Sequence, residues 1–147
     1  MHEHVIRFNR IFKRMDDLYR QAAKASGLSE CALWILYFLR ESGTPVTQRT
    51  LCERLMQPKQ SIHSALKKMV SDGWIVLAAD ESDRRSKVIL LTPEGERIAL
   101  KTADRILLAE RESFGCFSPK ELQTYFELLE RHTAALEKRL CAKGEPQ

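Results

Sequence analysis

The chain contains no apolar run of about 18 residues, the length a membrane-spanning helix needs. Its opening residues, MHEHVIRFNR, lack the apolar core and the small-residue cleavage site of a secretory signal. A cytoplasmic address, with no membrane partner, is therefore expected. Cysteine is sparse and scattered: Cys31, Cys52, Cys116 and Cys141 form no CxxC pair and no Cys/His spacing suited to zinc. Free thiols in a reducing compartment follow, without a disulfide framework, and Cys52, next to Leu51 on a short helix, reads as a small core residue. His2 and His4 have no HxxxH pairing, and His63 and His132 lie far apart, so neither a metal nor another cofactor is expected. Only six glycines are present, and none builds a phosphate-cradling loop or a nucleophile elbow. No catalytic constellation is recognisable, and an enzyme is not the reading.

What is present is the composition of a soluble globular protein, with 44% hydrophobic and 30% charged residues over 147 positions. That length suits one compact domain, or a small one with helical extensions. The formal charge of +4 is unevenly spread. Residues 1–43 carry seven Lys and Arg against five Asp and Glu, 44–92 eight against five, and 93–147 nine against ten. A polyanion facing the first two thirds of the chain fits this distribution.

Thr44 to Thr92 is the organising stretch. PKQSIHSALKKMVSD, from Pro58 to Asp72, places Ile62, Ala65, Leu66 and Met69 on one helical face. Lys59, Gln60, His63, Ser64, Lys67 and Lys68 turn mostly away from it. Pro58 suits the first helical position because its missing N–H would be unpaired there. Before it, Thr44, Pro45 and Val46 read as a short extended segment, and Thr47 caps a helix, TQRTLCERL, whose Leu51 and Leu55 face inward. Met56 and Gln57 make the tight connection, and Gly73 closes the second helix. WIVLAA and KVILLT then flank ADESDRRS, two strands joined by a charged tip.

Two short helices so closely joined are the helix-turn-helix layout, whose second helix enters the DNA major groove. Lys59, Gln60, Ser61, His63 and Ser64 are then the candidates for base contact, and Lys67 for phosphate. Helices flank this stretch. Val5, Phe8, Phe12, Met15, Tyr19 and Ala22 recur at steps of three and four from His4 to Lys24, with Ile6, Ile11 and Leu18 apolar beside that stripe. After Gly27, Ser29 caps a helix to Glu41 with Ala32, Ile35, Leu36 and Leu39 on its core face. On it, Trp34 and Tyr37 are the candidate effector pocket, or a cover over neighbouring apolar side chains. Thr92 and Pro93 begin a helix expected to continue to about Glu112. Phe114 to Phe117 break it, and Ser118-Pro119-Lys120-Glu121 is a capping box. Leu122, Phe126, Leu129, Thr133, Leu136 and Leu140 form a second heptad-like seam. Its natural partners are the N-terminal helix and a neighbouring subunit.

From Val46 through Ile98 the sequence resembles the winged helix-turn-helix of MarR-type transcriptional regulators. The likeness lies in the Thr-capped LxxxL helix (Leu51, Leu55), the Lys-Gln-Ser-Ile start of the second helix and the Gly73-Trp74-Ile75 turn. Asp83-Arg84-Arg85 follows in the wing, then Leu91-Thr92-Pro93-Glu94-Gly95 at the next helix boundary. The resemblance implies a mainly α fold with a small β-wing (α+β), a winged helix-turn-helix flanked by N- and C-terminal dimerisation helices. Residues 1–43 would support the core and dimerisation, 44–92 bind DNA, and 93–147 dimerise, within one compact domain. It implies a homodimer on double-stranded DNA, with Thr47 and Gln48 binding DNA beside the second helix and Arg84 and Arg85 reaching the minor groove. In such wings the Asp orients an Arg two residues on, here Asp83 and Arg85. A homodimeric repressor of a pseudo-palindromic operator, released by a small aromatic or phenolic effector, is the expected function. The strand entering the wing, Val76 to Ala79, departs from the pattern by lacking the usual Arg or Lys. The competing expectation is a winged-helix module for protein interaction or dimerisation, with weak or no DNA binding.

Overall fold

Helix α2 (Glu30–Glu41) is the most deeply enclosed element of the fold. Ser29 stands before it in extended conformation and its hydroxyl accepts from the Ala32 N–H, satisfying a donor the first turn leaves open. Leu33, Ile35 and Leu36 are then sealed from solvent, so the helix is apolar around more of its circumference than the expected face at Ala32, Ile35, Leu36 and Leu39. Helix α1 (His2–Ser26) precedes it across Gly27, whose φ of +73° gives the left-handed turn that suits glycine. The computed structural model describes residues 2–80 and 86–141. It comprises two compact units, Met1–Leu108 and Ala109–Gln147.

In the first unit, β1 (Val46–Thr47) leads into α3 (Gln48–Arg54), and α4 (Lys59–Ser71) follows after a short turn. Pro58 lies one position earlier than expected: it is the N-cap residue of α4, with ψ at 134°, and not its first helical residue. Its ring still costs nothing there, because no intrahelical acceptor awaits its nitrogen. Ile62, Leu66 and Met69 are buried, with Ala65 partly so. Enclosing three such side chains contributes up to about 6 kcal/mol. At the other end Gly73 donates to the Val70 carbonyl and Trp74 to that of Met69, a Schellman closure that sends the chain into β2 (Ile75–Ala79).

β2 and β3 (Lys87–Leu91) pair antiparallel from Ile75↔Leu91 to Ala79↔Lys87. The extended segment before α3 is a third strand of this sheet: β1 pairs with β3 at Val46↔Ile89 and Thr47↔Val88, giving the order β1-β3-β2. Two paired residues are too short to carry a period-two signal, so the segment shows in sequence only as extended chain. Val46, Ile75 and Ile89 belong to the core cluster, and Val88, on the opposite face of the sheet, is also buried.

Thr92 caps α5 (Pro93–Lys101), its hydroxyl accepting from the Gly95 N–H at 3.1 Å and donating to the Gly73 carbonyl. The helix expected to run on to Glu112 is broken. At Thr102 the backbone leaves helical geometry (φ −126°, ψ −81°), and α6 (Ala103–Phe114) begins. The Thr102 hydroxyl donates to the Ile98 carbonyl at 2.7 Å, a β-branched side chain competing for a helical acceptor. An ion-pair clamp from α2 spans the break. Arg40 binds Asp104 through two nitrogens, Nε at 2.7 Å and Nη2 at 2.5 Å, and Glu96 through Nη1 at 2.5 Å.

The second unit holds α7 (Pro119–Leu140). Its capping box forms as expected: the Ser118 hydroxyl accepts from the Glu121 N–H, and the Glu121 carboxylate accepts from the Ser118 N–H at 2.8 Å. Phe114 packs on Phe126 and Phe117 on Tyr125 at 5.7 and 5.9 Å between ring centroids. No residue of α7 is buried within one chain; Phe126, Leu129, Leu136 and Leu140 all stay exposed. Helix α1 likewise leaves Val5, Ile6, Ile11, Phe12, Met15 and Leu18 open, and buries only Ala23.

Candidate nucleic-acid interface

The face of α4 opposite Ile62, Leu66 and Met69 carries Lys59, Gln60, Ser61, His63, Ser64 and Lys67, and all six are exposed. Their separation from the buried face follows from helical spacing alone. No side chain caps α4. Ser61 and Ile62 donate to the Pro58 carbonyl, which leaves the N–H groups of Lys59 and Gln60 directed outward at the positive end of the helix dipole, beside the Lys59 ammonium. An anion is favoured there.

Neither Lys59 nor Lys67 is ion-paired among the described residues, whereas Lys68 is held by Asp72 at 2.8 Å, Arg49 by Glu53 at 2.9 Å and Arg54 by Glu41 at 3.2 Å. Arg54 also lies over the Phe38 ring, 5.6 Å from its centroid. The cations not engaged by a carboxylate thus include the two on the candidate reading face.

Thr47 does two local tasks. Its hydroxyl accepts from the Thr50 N–H at 3.1 Å and lies 2.9 Å from the Thr50 hydroxyl, capping α3. Leu51 and Leu55 then bury that helix against the core. The cap sets Gln48 as the first residue of α3, and Gln48 Nε2 lies 3.1 Å from His63 Nδ1 on α4. Sequence named both residues but gave no sign that they meet.

β2 and β3 run outward as a hairpin as far as Asp80, whose N–H donates to the Ser86 carbonyl at 3.1 Å. Asp83, Arg84 and Arg85 lie outside the described residues. On the strand leading there, Val76 and Leu77 are 48% and 42% exposed, an uncharged entry into the wing.

Trp34 and Tyr37 are half-buried in an edge-to-face run, 5.6 Å from Tyr19 to Trp34 and 5.3 Å from Trp34 to Tyr37 between centroids. They pack against the core cluster. An open crevice of about 340 Å³ elsewhere in this unit is lined by Leu39, Arg40, Thr44, Pro45, Leu91 and Glu96, and includes neither aromatic. Cys52 also packs against the core, partly exposed. Burial, then neighbouring Cys52 and Glu30, pushes the Cys31 thiol up, away from thiolate reactivity. Among the described residues no group of three or more His, Cys, Asp and Glu could hold a metal ion, and no helix is long and apolar enough to cross a membrane.

Residues 26–86, from the end of α1 through α4 and β2 to just before β3, match the model of the MarR family. The match spans less than half of the chain. A curated relative, the HTH-type transcriptional regulator YwoH of Bacillus subtilis, is 26% identical over 102 residues, 69% of this chain and 73% of its own length. The structure of a MarR family regulator from Neisseria meningitidis superposes with a TM-score of 0.77 at 20% identity, covering 96% of this chain and 99% of that one. A structure of Bordetella bronchiseptica BpsR, concerned with regulation of its DNA binding by 6-hydroxynicotinic acid, superposes at 0.58 and 19% identity over 90% and 93%. The mainly α fold with its small three-stranded sheet is the winged-helix fold of these structures.

Proposed function

We propose that this chain is a MarR-type transcriptional regulator, a homodimer that reads a pseudo-palindromic operator in double-stranded DNA and represses the genes behind it. The observation that carries the proposal is the division of α4: Ile62, Leu66 and Met69 enclosed, and Lys59, Gln60, Ser61, His63, Ser64 and Lys67 presented to solvent without a carboxylate partner for either lysine among the described residues. In this reading α4 lies in the major groove, Lys59 and Lys67 meet phosphates, and the remaining four face base edges. Arg84 and Arg85 enter the minor groove, oriented by Asp83, and Thr47 and Gln48 flank the helix. The exposed apolar side chains of α1 and of α7 support dimerisation, since surface of this kind usually has a partner. Two-fold symmetry then puts half-sites roughly 10 bp apart.

Relief by a small aromatic or phenolic effector is part of the same proposal, with Trp34 and Tyr37 as the aromatic surface it meets. That BpsR is regulated by 6-hydroxynicotinic acid supports this by analogy. The uncharged, exposed strand from Val76 to Ala79 favours the second reading, a module for protein interaction or dimerisation. Selection of bound duplexes from a random pool separates the two. The wild type should enrich a palindrome and an Arg84→Ala/Arg85→Ala variant should not. A folded dimer that enriches nothing at low salt would favour the interaction module.

A further inference from the structure

We infer that Gln48 is a positioning residue for His63: it holds the neutral imidazole in the tautomer protonated on Nε2, so that His63 meets DNA as a hydrogen-bond donor and disfavours cytosine. The inference rests on the DNA-binding reading above and adds the chemical basis of one base preference.

The geometry is the 3.1 Å approach of Gln48 Nε2 to His63 Nδ1, between residues 15 positions apart on two different helices. An amide nitrogen carries two hydrogens and offers no lone pair, so it donates. Nδ1 must therefore accept, and the single proton of the neutral ring sits on Nε2. Both ends are anchored. Thr47 caps the helix that begins at Gln48, and Ile62 and Leu66 on either side of His63 bury the turn that carries it.

The consequence follows from the major-groove edges. Guanine offers N7 and O6, adenine N7 and thymine O4 as acceptors, whereas cytosine offers only the N4 amine, a donor. An Nε2–H group can pair with the first three and opposes hydrogen to hydrogen at the fourth. A histidine free to choose its tautomer could answer cytosine by moving its proton to Nδ1 and accepting through Nε2. Gln48 opposes that change: in the orientation seen here its N–H occupies the Nδ1 lone pair, and the proton could move to Nδ1 only if the amide turned over to present Oε1.

The test uses the full chain and the operator selected by the wild type. Affinities for that operator and every single-base-pair substitution are compared among wild type, Gln48→Met and His63→Ala at pH 8, above the usual imidazole range. We expect one position at which the wild type disfavours cytosine by about 10-fold or more, a normal mismatch penalty. In Gln48→Met, whatever its overall affinity, that penalty should shrink to about 2-fold while the relative base preferences at other positions are kept, and in His63→Ala the preference at the same position should vanish. Uniform weakening by Gln48→Met, or an effect at a different position from that of His63→Ala, would overturn the assignment. Imidazole ¹⁵N spectra of the free protein give a readout independent of DNA: Nδ1 of His63 should be unprotonated in the wild type and mixed in Gln48→Met, and a protonated Nδ1 in the wild type would sink the idea. Failure of the wild type to enrich any sequence overturns the parent reading instead, and shows in that arm alone.

Discussion

Replacing Gly95 by alanine should destabilise the first unit by about 3 kcal/mol, although the change is to a better helix former. A Cβ at this position would lie 1.9 Å from the Trp74 carbonyl oxygen, 2.9 Å from its carbon and 3.1 Å from Leu91 Cδ2. Two of those three atoms are backbone, so no rotamer change relieves the clash. Moving α5 outward by the more than 1 Å required would stretch the Thr92 N–H bond to the same carbonyl, now 2.9 Å, and the Thr92 hydroxyl bond to Gly73. Overpacking of this kind costs about 1–3 kcal/mol. Two weakened hydrogen bonds add about 1 kcal/mol each, and the helix-propensity gain returns less than about 1 kcal/mol. For a chain of this size the net loss lowers Tm by roughly 6–12 °C. Thermal unfolding followed by circular dichroism, at equal protein concentration because the proposed dimerisation would couple to Tm, measures it. A Gly95→Ala protein melting within about 2 °C of the wild type would refute the reasoning, since the clash would then have been relieved without cost.

Arg40→Ala should cost about 1–3 kcal/mol, because Asp104, 20% exposed in the intact pair, loses its bidentate partner. A double-mutant cycle should find most of the coupling with Asp104, and under about 1 kcal/mol with the half-exposed Glu96; equal couplings would count against the clamp as drawn. The Glu121 carboxyl, accepting from the Ser118 N–H and then its hydroxyl, is held below the usual carboxylate range. A depressed folded value means that its stabilising effect is present above the unfolded pKa and is lost as pH falls through the folded one. NMR titration should show this lowering, reduced in Ser118→Ala; an unchanged titration in the variant would exclude the hydroxyl's share. Neutralising about seven phosphates per dimer, DNA affinity should fall roughly 10³ to 10⁴-fold between 50 and 200 mM salt, and a flat response would argue against direct DNA binding.

The elements most legible in the sequence were those whose signal is local. Ser29, Thr47, Thr92 and Ser118 all cap helices as their hydroxyls suggest, and Ile62, Leu66 and Met69 turn inward as their spacing requires. The features that sequence left unread depend on partners far along the chain. Arg40 and Asp104 are 64 positions apart, and nothing local in either marks a bidentate pair or the helix break between Lys101 and Ala103. β1 becomes a strand only because Ile89 and Val88 lie opposite Val46 and Thr47. Gly95 was visible as part of Leu91-Thr92-Pro93-Glu94-Gly95, but its physical reason, the Trp74 carbonyl, appears only in three dimensions. For the candidate site, the exposed face of α4 was legible from periodicity, whereas the Gln48–His63 contact was not.

The arrangement of the core constrains how such a regulator could be controlled. α2, α3, α4 and the sheet share one set of enclosed side chains, Leu33, Ile35, Leu36, Leu51, Ile62, Met69 and Ile75, each under 2% exposed. Tilting α4 against the base of the wing would open that set. Even one side chain uncovered costs about 2 kcal/mol, and several would exceed the 1–3 kcal/mol typical of allosteric coupling. On the proposed reading, α4 and the roots of β2 and β3 therefore travel together, and an effector changes the spacing between two such bodies in a dimer without reshaping either one. The Arg40 clamp reinforces this by tying α2 to both α5 and α6 across the break at Thr102. An effector that bound at Trp34 and Tyr37 would press on α1 through Tyr19, the helix whose exposed apolar side chains await a partner, and so would act on the dimer and not on the reading surface itself.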